Sequence, residues 1–160
     1  MTPGPGLHRT ILPKGFLASG VNCGVRRYRP DIGLIYSEVD AVAAGVFTLN
    51  ECKAAPVLYC QKLLPAENIR AIVTNSGQAN AATGGQGIET NYAMAKTVAE
   101  TLKIEANQVL TASTGVIGAH LAIDLVGNLR VLAQILLGIL PSLANAIASE
   151  RVPGTTLLDD

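Results

Sequence analysis

The sequence predicts a mixed α/β domain, and three observations lead to that fold class. The chain has 160 residues, enough for about one domain with a sizeable hydrophobic core. Short runs rich in Val, Ile and Leu alternate with glycine-containing or polar turns between residues 15 and 118. One amphipathic helical pattern interrupts these runs. Hydrophobic residues make up 49% of the chain and charged residues only 15%, which excludes a globally disordered protein.

Five short runs predict β-strands, because each is dense in branched, aromatic or other β-favouring residues. They cover residues 33–37, 44–48, 57–61, 70–75 and 109–112. Turn-forming residues separate the runs, and the last run follows the predicted helix. We therefore expect several strands and one clear helix in this part of the chain.

The helical pattern covers residues 89–102. Four apolar residues recur there at helical spacing: Tyr92, Ala95, Ala99 and Leu102. The polar residues occupy the other faces: Glu89, Asn91, Lys96, Glu100 and Lys103. Such a narrow, alanine-rich stripe allows close packing on a sheet. Met94 and Val98 are therefore interpreted as core residues.

The segment after residue 118 differs in composition from the rest of the chain. Residues 131–149 contain no Asp, Glu, Lys or Arg, and this run is nearly as long as the ~20 residues that cross a bilayer. Polar residues and Pro141 interrupt it, which weakens the membrane interpretation. A buried or partner-covered helix ending near Pro141 is preferred, and a membrane span is the alternative.

Charge and cysteine content exclude several function classes. Twelve Lys and Arg balance twelve Asp and Glu, so no basic surface for nucleic acid is expected. Cys23, Cys52 and Cys60 form no paired CxxC motif, and His8 and His120 lack metal-ligand spacing, so no metal site is predicted. Neither a signal-peptide core nor a glycosylation sequon occurs, which makes the cytoplasm the expected location.

Two segments contain residues suited to chemistry. Residues 75–87, NSGQANAATGGQG, form a glycine-rich loop after an apolar strand, but they match neither a P-loop nor a dinucleotide-binding motif. Composition alone favours a structural connection here. In residues 112–118, ASTGVIG, a Thr hydroxyl beside a Gly amide can stabilise an oxyanion, although Ser-Thr-Gly is also common in ordinary turns. A Cys60/His120 nucleophilic pair is conceivable, but Cys60 is more typical of a small core residue.

Five ordered blocks together resemble the ornithine acetyltransferases, also called glutamate N-acetyltransferases. The blocks are KGF with ASGV (14–21), AAGVFT (43–48), KAAPV (53–57), RAIVTNSGQANAATG (70–84) and ASTGVIG (112–118). The resemblance covers about residues 14–124. It implies an α/β layered sandwich with stacked β-sheets flanked by helices, of which this chain would be a partial domain. Residues 1–13 would then be a flexible amino-terminal segment, 14–124 an α-chain-like domain and 125–160 a divergent apolar segment.

The resemblance also implies a reaction in arginine biosynthesis. Members of the family transfer an acetyl group from N-acetylornithine to glutamate without a cofactor, and some also use acetyl-CoA as the donor. Their precursor cleaves itself before a Thr, which becomes the nucleophile at the start of the β chain in an α2β2 assembly. Carried over to this sequence, Thr114 and Gly115 match the oxyanion-hole pair, through the Thr hydroxyl and the Gly amide. The nucleophile is expected on a separate chain.

The sequence departs from the family pattern after about residue 124. The Ala-Met-Thr-Thr-Asp-like block and the stretch that ends at the nucleophilic Thr do not occur, and Thr155-Thr156-Leu157 is only a superficial echo. Two explanations compete: a truncated or altered α portion, or a divergent or frame-disrupted tail. An inactive fragment or a noncatalytic interaction or regulatory protein of the same family is the alternative function. In a eukaryote, the mitochondrial matrix would be the alternative location.

Overall fold

One four-stranded sheet forms the centre of the computed structural model, which describes residues 12–122. The strands are β1 (Phe16–Val21), β2 (Ile32–Ala43), β3 (Ala66–Gln78) and β4 (Val109–Val116). The α-helices are α1 (Ala55–Leu63) and α2 (Gly84–Leu102), and a short 3-10 helix spans Ala106–Gln108. The predicted helix ending near Pro141, its membrane alternative, His8 and the segment 125–160 lie outside the described residues.

The strands lie in the sheet in chain order, but their directions are mixed. β1 pairs antiparallel with β2, and β2 pairs antiparallel with β3. β4 runs parallel to β3, which requires a crossover, and α2 supplies it. The carboxyl ends of β3 and β4 therefore lie side by side at one edge of the sheet.

The α/β fold class and four of the predicted elements are confirmed. The runs 33–37, 70–75 and 109–112 lie inside β2, β3 and β4, and each strand is longer than its run. The helix predicted over 89–102 is α2, which begins earlier, at Gly84. β1 was not predicted, because its sequence FLASGV contains few strongly β-favouring residues. Pairing with β2, rather than local propensity, explains its extended conformation.

Two predicted strands are wrong. The run 57–61 lies inside helix α1, where Pro56 occupies the first turn, a position at which proline favours a helix. A short apolar run cannot distinguish a strand from a buried helix by its periodicity. The run 44–48 forms no strand. Val46 there is fully exposed, so the segment buries little apolar surface against the described part of the chain.

Helix α2 packs against one face of the sheet and forms the main core. Met94 and Val98 are almost completely buried with Val73 of β3 and Val109 of β4, which confirms that both α2 residues belong to the core. The helix is rotated from its expected orientation. Two side chains differ from the prediction: Asn91, expected on a polar face, is buried, whereas Tyr92 is half exposed. Helix α1 lies against β4 and α2.

The opposite face of the sheet is apolar and open over β1, β2 and β3. The register aligns one residue from each strand in a row across the sheet: Ala18, Ile35, Ile72 and Leu110. Phe16, Ile35 and Ile72 are 36–43% exposed, whereas Leu110 in β4 is buried in a cluster with Cys60 of α1. The described residues thus provide one sheet with a helix-covered face and a face that is uncovered over β1 to β3. In a layered sandwich, a second layer would lie on the uncovered face.

Candidate functional site

Two of the sequence motifs meet where β3 and β4 end. Ser76 pairs with Thr114, and Gly77 pairs with Gly115. Beyond the strands, the N–H of Ala79 donates to the carbonyl of Val116 at 2.9 Å, so the glycine-rich loop and the 112–118 block stay joined. The carboxyl ends of parallel strands are the usual ligand-binding edge of an α/β sheet. This edge is therefore the candidate functional site.

Thr114 and Gly115 lie at this edge, in the last residues of β4, and both are exposed. The backbone of Gly115 has φ +134°, a conformation that favours glycine. A Cβ atom at Gly115 would lie 2.2 Å from the carbonyl oxygen of Gly77, so no side chain fits there. Only glycine allows the two strand ends to approach this closely. The end of β4 thus brings the Thr114 side chain and the Gly115 backbone to this edge.

The glycine-rich loop is held by a buried asparagine. The Asn80 Nδ2 donates to the carbonyl of Gly87 at 2.8 Å, and its Oδ1 accepts from the Thr83 hydroxyl at 2.8 Å. The Asn80 carbonyl accepts the N–H of Ala55, which brings the 53–57 block to the same edge. Three of the five motif blocks thus meet here. Asn80 itself has the role expected for a structural connection, because it fixes the start of α2.

Three residues at the ends of β3 and β4, Asn75, Gln78 and Ser113, have buried side-chain polar atoms without a hydrogen-bond partner. Of the described residues, those with such side-chain atoms are Asn75, Gln78, Asn91 and Ser113. Asn75 and Ser113 are register partners on β3 and β4, one step before the Ser76–Thr114 pair. Buried polar groups are normally satisfied. Their presence here is typical of a site that another chain segment, water or a ligand completes.

The loop between β1 and β2, residues 22–31, also reaches the site. The carboxylate of Asp31 is buried and accepts the N–H groups of Cys23 and Arg26, both at 2.7 Å. The carbonyl of Asp31 accepts the N–H of Ser76 at 2.8 Å. The Arg26 guanidinium donates to the Ser76 hydroxyl at 3.0 Å. The Asp31 carboxylate thus holds the loop closed. Hydrogen bonds also join the loop to Ser76, the β3 residue that pairs with Thr114.

Two titratable groups in this loop have shifted pKa values. Burial acts to raise the pKa of Asp31, but the hydrogen bonds from the N–H groups of Cys23 and Arg26 outweigh it, and the pKa lies below its ordinary value of 3.8. Burial, followed by the Asp31 carboxylate, raises the pKa of Cys23 to about 11. Cys23 is therefore a protonated thiol at neutral pH and a poor nucleophile.

The Asp31 carboxylate makes a pH-dependent contribution to stability that a substitution can remove. Because its folded pKa is lowered, the contribution is fully present above the ordinary value and disappears as pH falls through the folded pKa. We expect Asp31→Asn to lower the urea midpoint at pH 7. We also expect the variant's midpoint to change less than that of the unsubstituted chain between about pH 5 and pH 2.

The control for this pH series is Glu67→Gln, which removes an exposed carboxylate from β3. It is expected to follow the unsubstituted chain at every pH. A parallel pH dependence in the Asp31→Asn chain and the unsubstituted chain would contradict the assigned role of the buried carboxylate.

The other candidate residues do not form a site among residues 12–122. Cys60 is buried with Ile69 and Leu110, and its sulfur lies 3.3 Å from the carbonyl oxygen of Thr111. His120 is exposed, and the hydrogen-bond partner of the Cys60 sulfur is Thr111 rather than His120. The interpretation of Cys60 as a core residue is therefore supported. In this part of the chain, no three His, Cys, Asp or Glu side chains form a potential metal site.

The apolar run 131–149, for which a membrane span is the alternative interpretation, lies outside the described residues. None of the helices within residues 12–122 combines the length and the hydrophobicity that a bilayer span requires.

Sequence reasoning missed the contribution of the β1–β2 loop. Asp31 was not selected as a functional or structural residue, although an aspartate after Arg-Pro at the end of a glycine-containing loop is typical of a turn. That signal predicts a turn at Asp31, but it does not predict the hydrogen bond between Asp31 and Ser76. Ser76 lies 45 residues further along the chain, in β3, which pairs with β2. The structure also brings Gly77 against Gly115, which local patterns do not reveal.

Comparison with known proteins identifies the family. The model of the ArgJ family matches residues 17–149. The Arginine biosynthesis bifunctional protein ArgJ of Caldanaerobacter subterraneus subsp. tengcongensis is 52% identical over 113 residues, which are 71% of this chain and 28% of that protein. The protein of the same name from Thermotoga neapolitana is 49% identical over 116 residues, 71% of this chain and 29% of that protein. This chain thus spans less than a third of these relatives' length.

Two solved structures are also similar to this chain. The crystal structure of Arginine biosynthesis bifunctional protein ArgJ from Bacillus halodurans matches with a TM-score of 0.69 and 44% identity, over 72% of this chain and 61% of that chain. The structure of ornithine acetyltransferase complexed with ornithine from Mycobacterium tuberculosis matches with a TM-score of 0.73 and 40% identity. That match covers 78% of this chain and 67% of the other.

Proposed function

This chain belongs to the ArgJ family, and we propose that it forms the amino-terminal, α-chain-like part of an ornithine acetyltransferase. The proposed reaction transfers an acetyl group from N-acetylornithine to glutamate. The observation that carries this proposal is the meeting of the two longest family motifs at the carboxyl ends of β3 and β4, with Thr114 and Gly115 exposed there. In this proposal, the chain supplies the oxyanion-stabilising half of an active site.

The reaction is proposed to begin on a β chain whose first residue is Thr. Its hydroxyl attacks the acetyl carbonyl of N-acetylornithine, and the hydroxyl proton passes to the α-amine of the same Thr. The carbonyl oxygen becomes negatively charged, and the Thr114 hydroxyl and the Gly115 N–H donate hydrogen bonds to it. The carbon–nitrogen bond then breaks, ornithine leaves with the proton, and the acetyl group remains as an ester on the β-chain Thr.

The second half of the proposed reaction uses the same two donors. The amine of glutamate attacks the ester carbonyl, and a second oxyanion forms at the position of the first. Its collapse releases N-acetylglutamate, and the Thr hydroxyl recovers its proton. This route needs no bound cofactor. Acetyl-CoA is a second proposed donor, because its thioester carbonyl could acylate the same Thr hydroxyl.

Two observations support a separate partner chain, proposed here as the β chain of an α2β2 assembly. The uncovered sheet face exposes Phe16, Ile35 and Ile72, and an open apolar face of this kind is typical of a surface that another segment covers. The match to the Mycobacterium tuberculosis structure covers 67% of that chain, whereas the match to the first curated relative covers only 28% of that protein. That solved chain is therefore much shorter than this relative, as expected for a polypeptide divided in two.

The proposed location is the cytoplasm, where the bacterial members of such a pathway would meet their substrates. A relative from Ricinus communis, 44% identical over 139 residues, is named as chloroplastic. The location of this chain would therefore follow the organism that encodes it.

Acetyl transfer from N-acetylornithine to glutamate tests the proposed function directly. We would measure it with this chain alone and with the chain co-expressed with a family β chain that begins with Thr. Activity is expected only in the co-expressed sample, because the nucleophile is proposed to lie on the β chain. The β chain alone is the matched control.

Three results would contradict the proposal. Activity of this chain alone would show that the nucleophile is wrongly assigned. Absence of activity in a stable complex would favour the interaction or regulatory protein, and absence of any complex would favour an inactive fragment.

A further inference from the structure

Gly77 is enclosed between the β1–β2 loop and the proposed oxyanion pair. On one side, a Cβ atom at Gly77 would lie 2.5 Å from Cγ1 of Val25. On the other side, the Gly77 carbonyl oxygen would lie 2.2 Å from a Cβ atom at Gly115. Both glycines have φ angles that disfavour side chains, +137° and +134°. The backbone of Gly77 therefore fills the whole space between Val25 and Gly115.

The loop that carries Val25 cannot withdraw easily. The buried Asp31 carboxylate accepts the N–H groups of Cys23 and Arg26, which flank Val25 in the chain. Arg26 also donates to the Ser76 hydroxyl, and Ser76 donates its N–H to the Asp31 carbonyl. Two hydrogen bonds to Ser76 thus fix the loop to β3 next to Gly77, and the two bonds to the Asp31 carboxylate hold the loop itself closed. An added side chain at Gly77 would displace the end of β3 unless Val25 moved.

We propose that Gly77 is a positioning residue for the proposed acetyl-transfer reaction: the β1–β2 loop holds its backbone against Gly115, and this contact sets the position of the Gly115 N–H. The inference rests on the proposed function, because it assigns no substrate contact to Gly77. Oxyanion stabilisation depends on donors placed within a few tenths of an ångström. A shift of the β3 end therefore weakens transition-state stabilisation more than substrate binding.

Gly77→Ala in the co-expressed assembly tests this inference. We expect kcat to fall by about tenfold to a hundredfold, with KM changed less than about threefold. The matched control is Gly85→Ala, because Gly85 lies in α2 and a Cβ atom there would meet nothing within 4 Å. This control is expected to keep both constants near their original values.

A double variant separates positioning from general damage. Val25→Ala removes the methyl group that a Cβ at Gly77 would meet, and the next contacts are 3.6 and 3.7 Å. We expect Val25→Ala combined with Gly77→Ala to recover at least about threefold of the lost kcat, because the two methyl groups compete for one space. Recovery is expected to be partial, since the backbone strain of alanine at φ +137° remains.

Each outcome decides the inference. It is overturned if Gly77→Ala matches Gly85→Ala in kcat, if kcat and KM change together, or if the double variant recovers nothing. If Gly77→Ala does not assemble, the single variant Val25→Ala is compared with Val46→Ala. A kcat of Val25→Ala at least about threefold below that of Val46→Ala supports the inference, and equal kcat values overturn it. Val46 is the control because its side chain is fully exposed. A normal kcat in Thr114→Val would instead overturn the proposed function itself.

Discussion

We expect Thr114→Val to lower kcat for acetyl transfer by about 10²–10³-fold in the co-expressed assembly, because the Thr114 hydroxyl is proposed as one of two oxyanion donors. Valine keeps the shape and the β-branch of threonine but cannot donate a hydrogen bond. Thr114 is exposed at the end of β4, so the substitution leaves the described core unchanged. The KM for N-acetylornithine is expected to change much less, because the donor acts where charge develops in the transition state.

The matched control for this prediction is Thr97→Val. The Thr97 hydroxyl donates to the carbonyl of Ala93 within α2, at 2.8 Å, so its hydrogen bond lies inside the helix and not at the strand ends. Initial rates over a range of N-acetylornithine concentrations would separate kcat from KM for both variants. A kcat within about twofold of the control would remove Thr114 from the oxyanion pair.

Met94→Ala is expected to lower the free energy of unfolding by about 2–5 kcal/mol. Met94 is completely buried between α2 and the sheet. The truncation would therefore remove apolar contacts and leave a cavity in the main core. Urea unfolding of the 160-residue chain, followed by circular dichroism, measures the change.

Two control variants provide smaller expected losses of unfolding free energy for comparison with Met94→Ala. Met94→Leu keeps nearly the same volume and should cost less than about 1.5 kcal/mol. Ile88→Ala shortens a half-exposed side chain on the same helix and should cost less than Met94→Ala. Equal losses for Met94→Ala and Ile88→Ala would contradict the assigned position of α2 against the sheet.

Periodicity and composition predict an element correctly where the local sequence pattern and the packing in the folded protein favour the same structure. The α2 pattern placed Met94 and Val98 in the core, and the runs around Leu34, Val73 and Leu110 became strands. The same reasoning failed for residues 57–61, where Pro56 starts a helix in an apolar run that is too short to show its period. The predicted burial of Asn91 and Tyr92 is wrong because α2 is rotated about its axis. That rotation depends on which side chains of the sheet pack against the helix.

The candidate site could be predicted only in part. Thr114 and Gly115 were selected through the family resemblance, since Ser-Thr-Gly alone also fits an ordinary turn. No local pattern predicted that Gly77 would lie against Gly115, or that Asp31 would close a loop onto Ser76. These contacts depend on strand pairing between distant parts of the chain. The family resemblance therefore points to Thr114 and Gly115, and the register between β3 and β4 determines their neighbours.

The most direct test of the account identifies the chain that carries the acetyl group during turnover. The co-expressed assembly would be incubated briefly with N-acetylornithine without glutamate, quenched in acid, and both chains weighed by intact-mass spectrometry. We expect one acetyl group on the amino-terminal Thr of the β chain and none on this chain. Thr114→Val is expected to slow the appearance of that acetyl group. An acetyl group on this chain would contradict the proposed division of the active site.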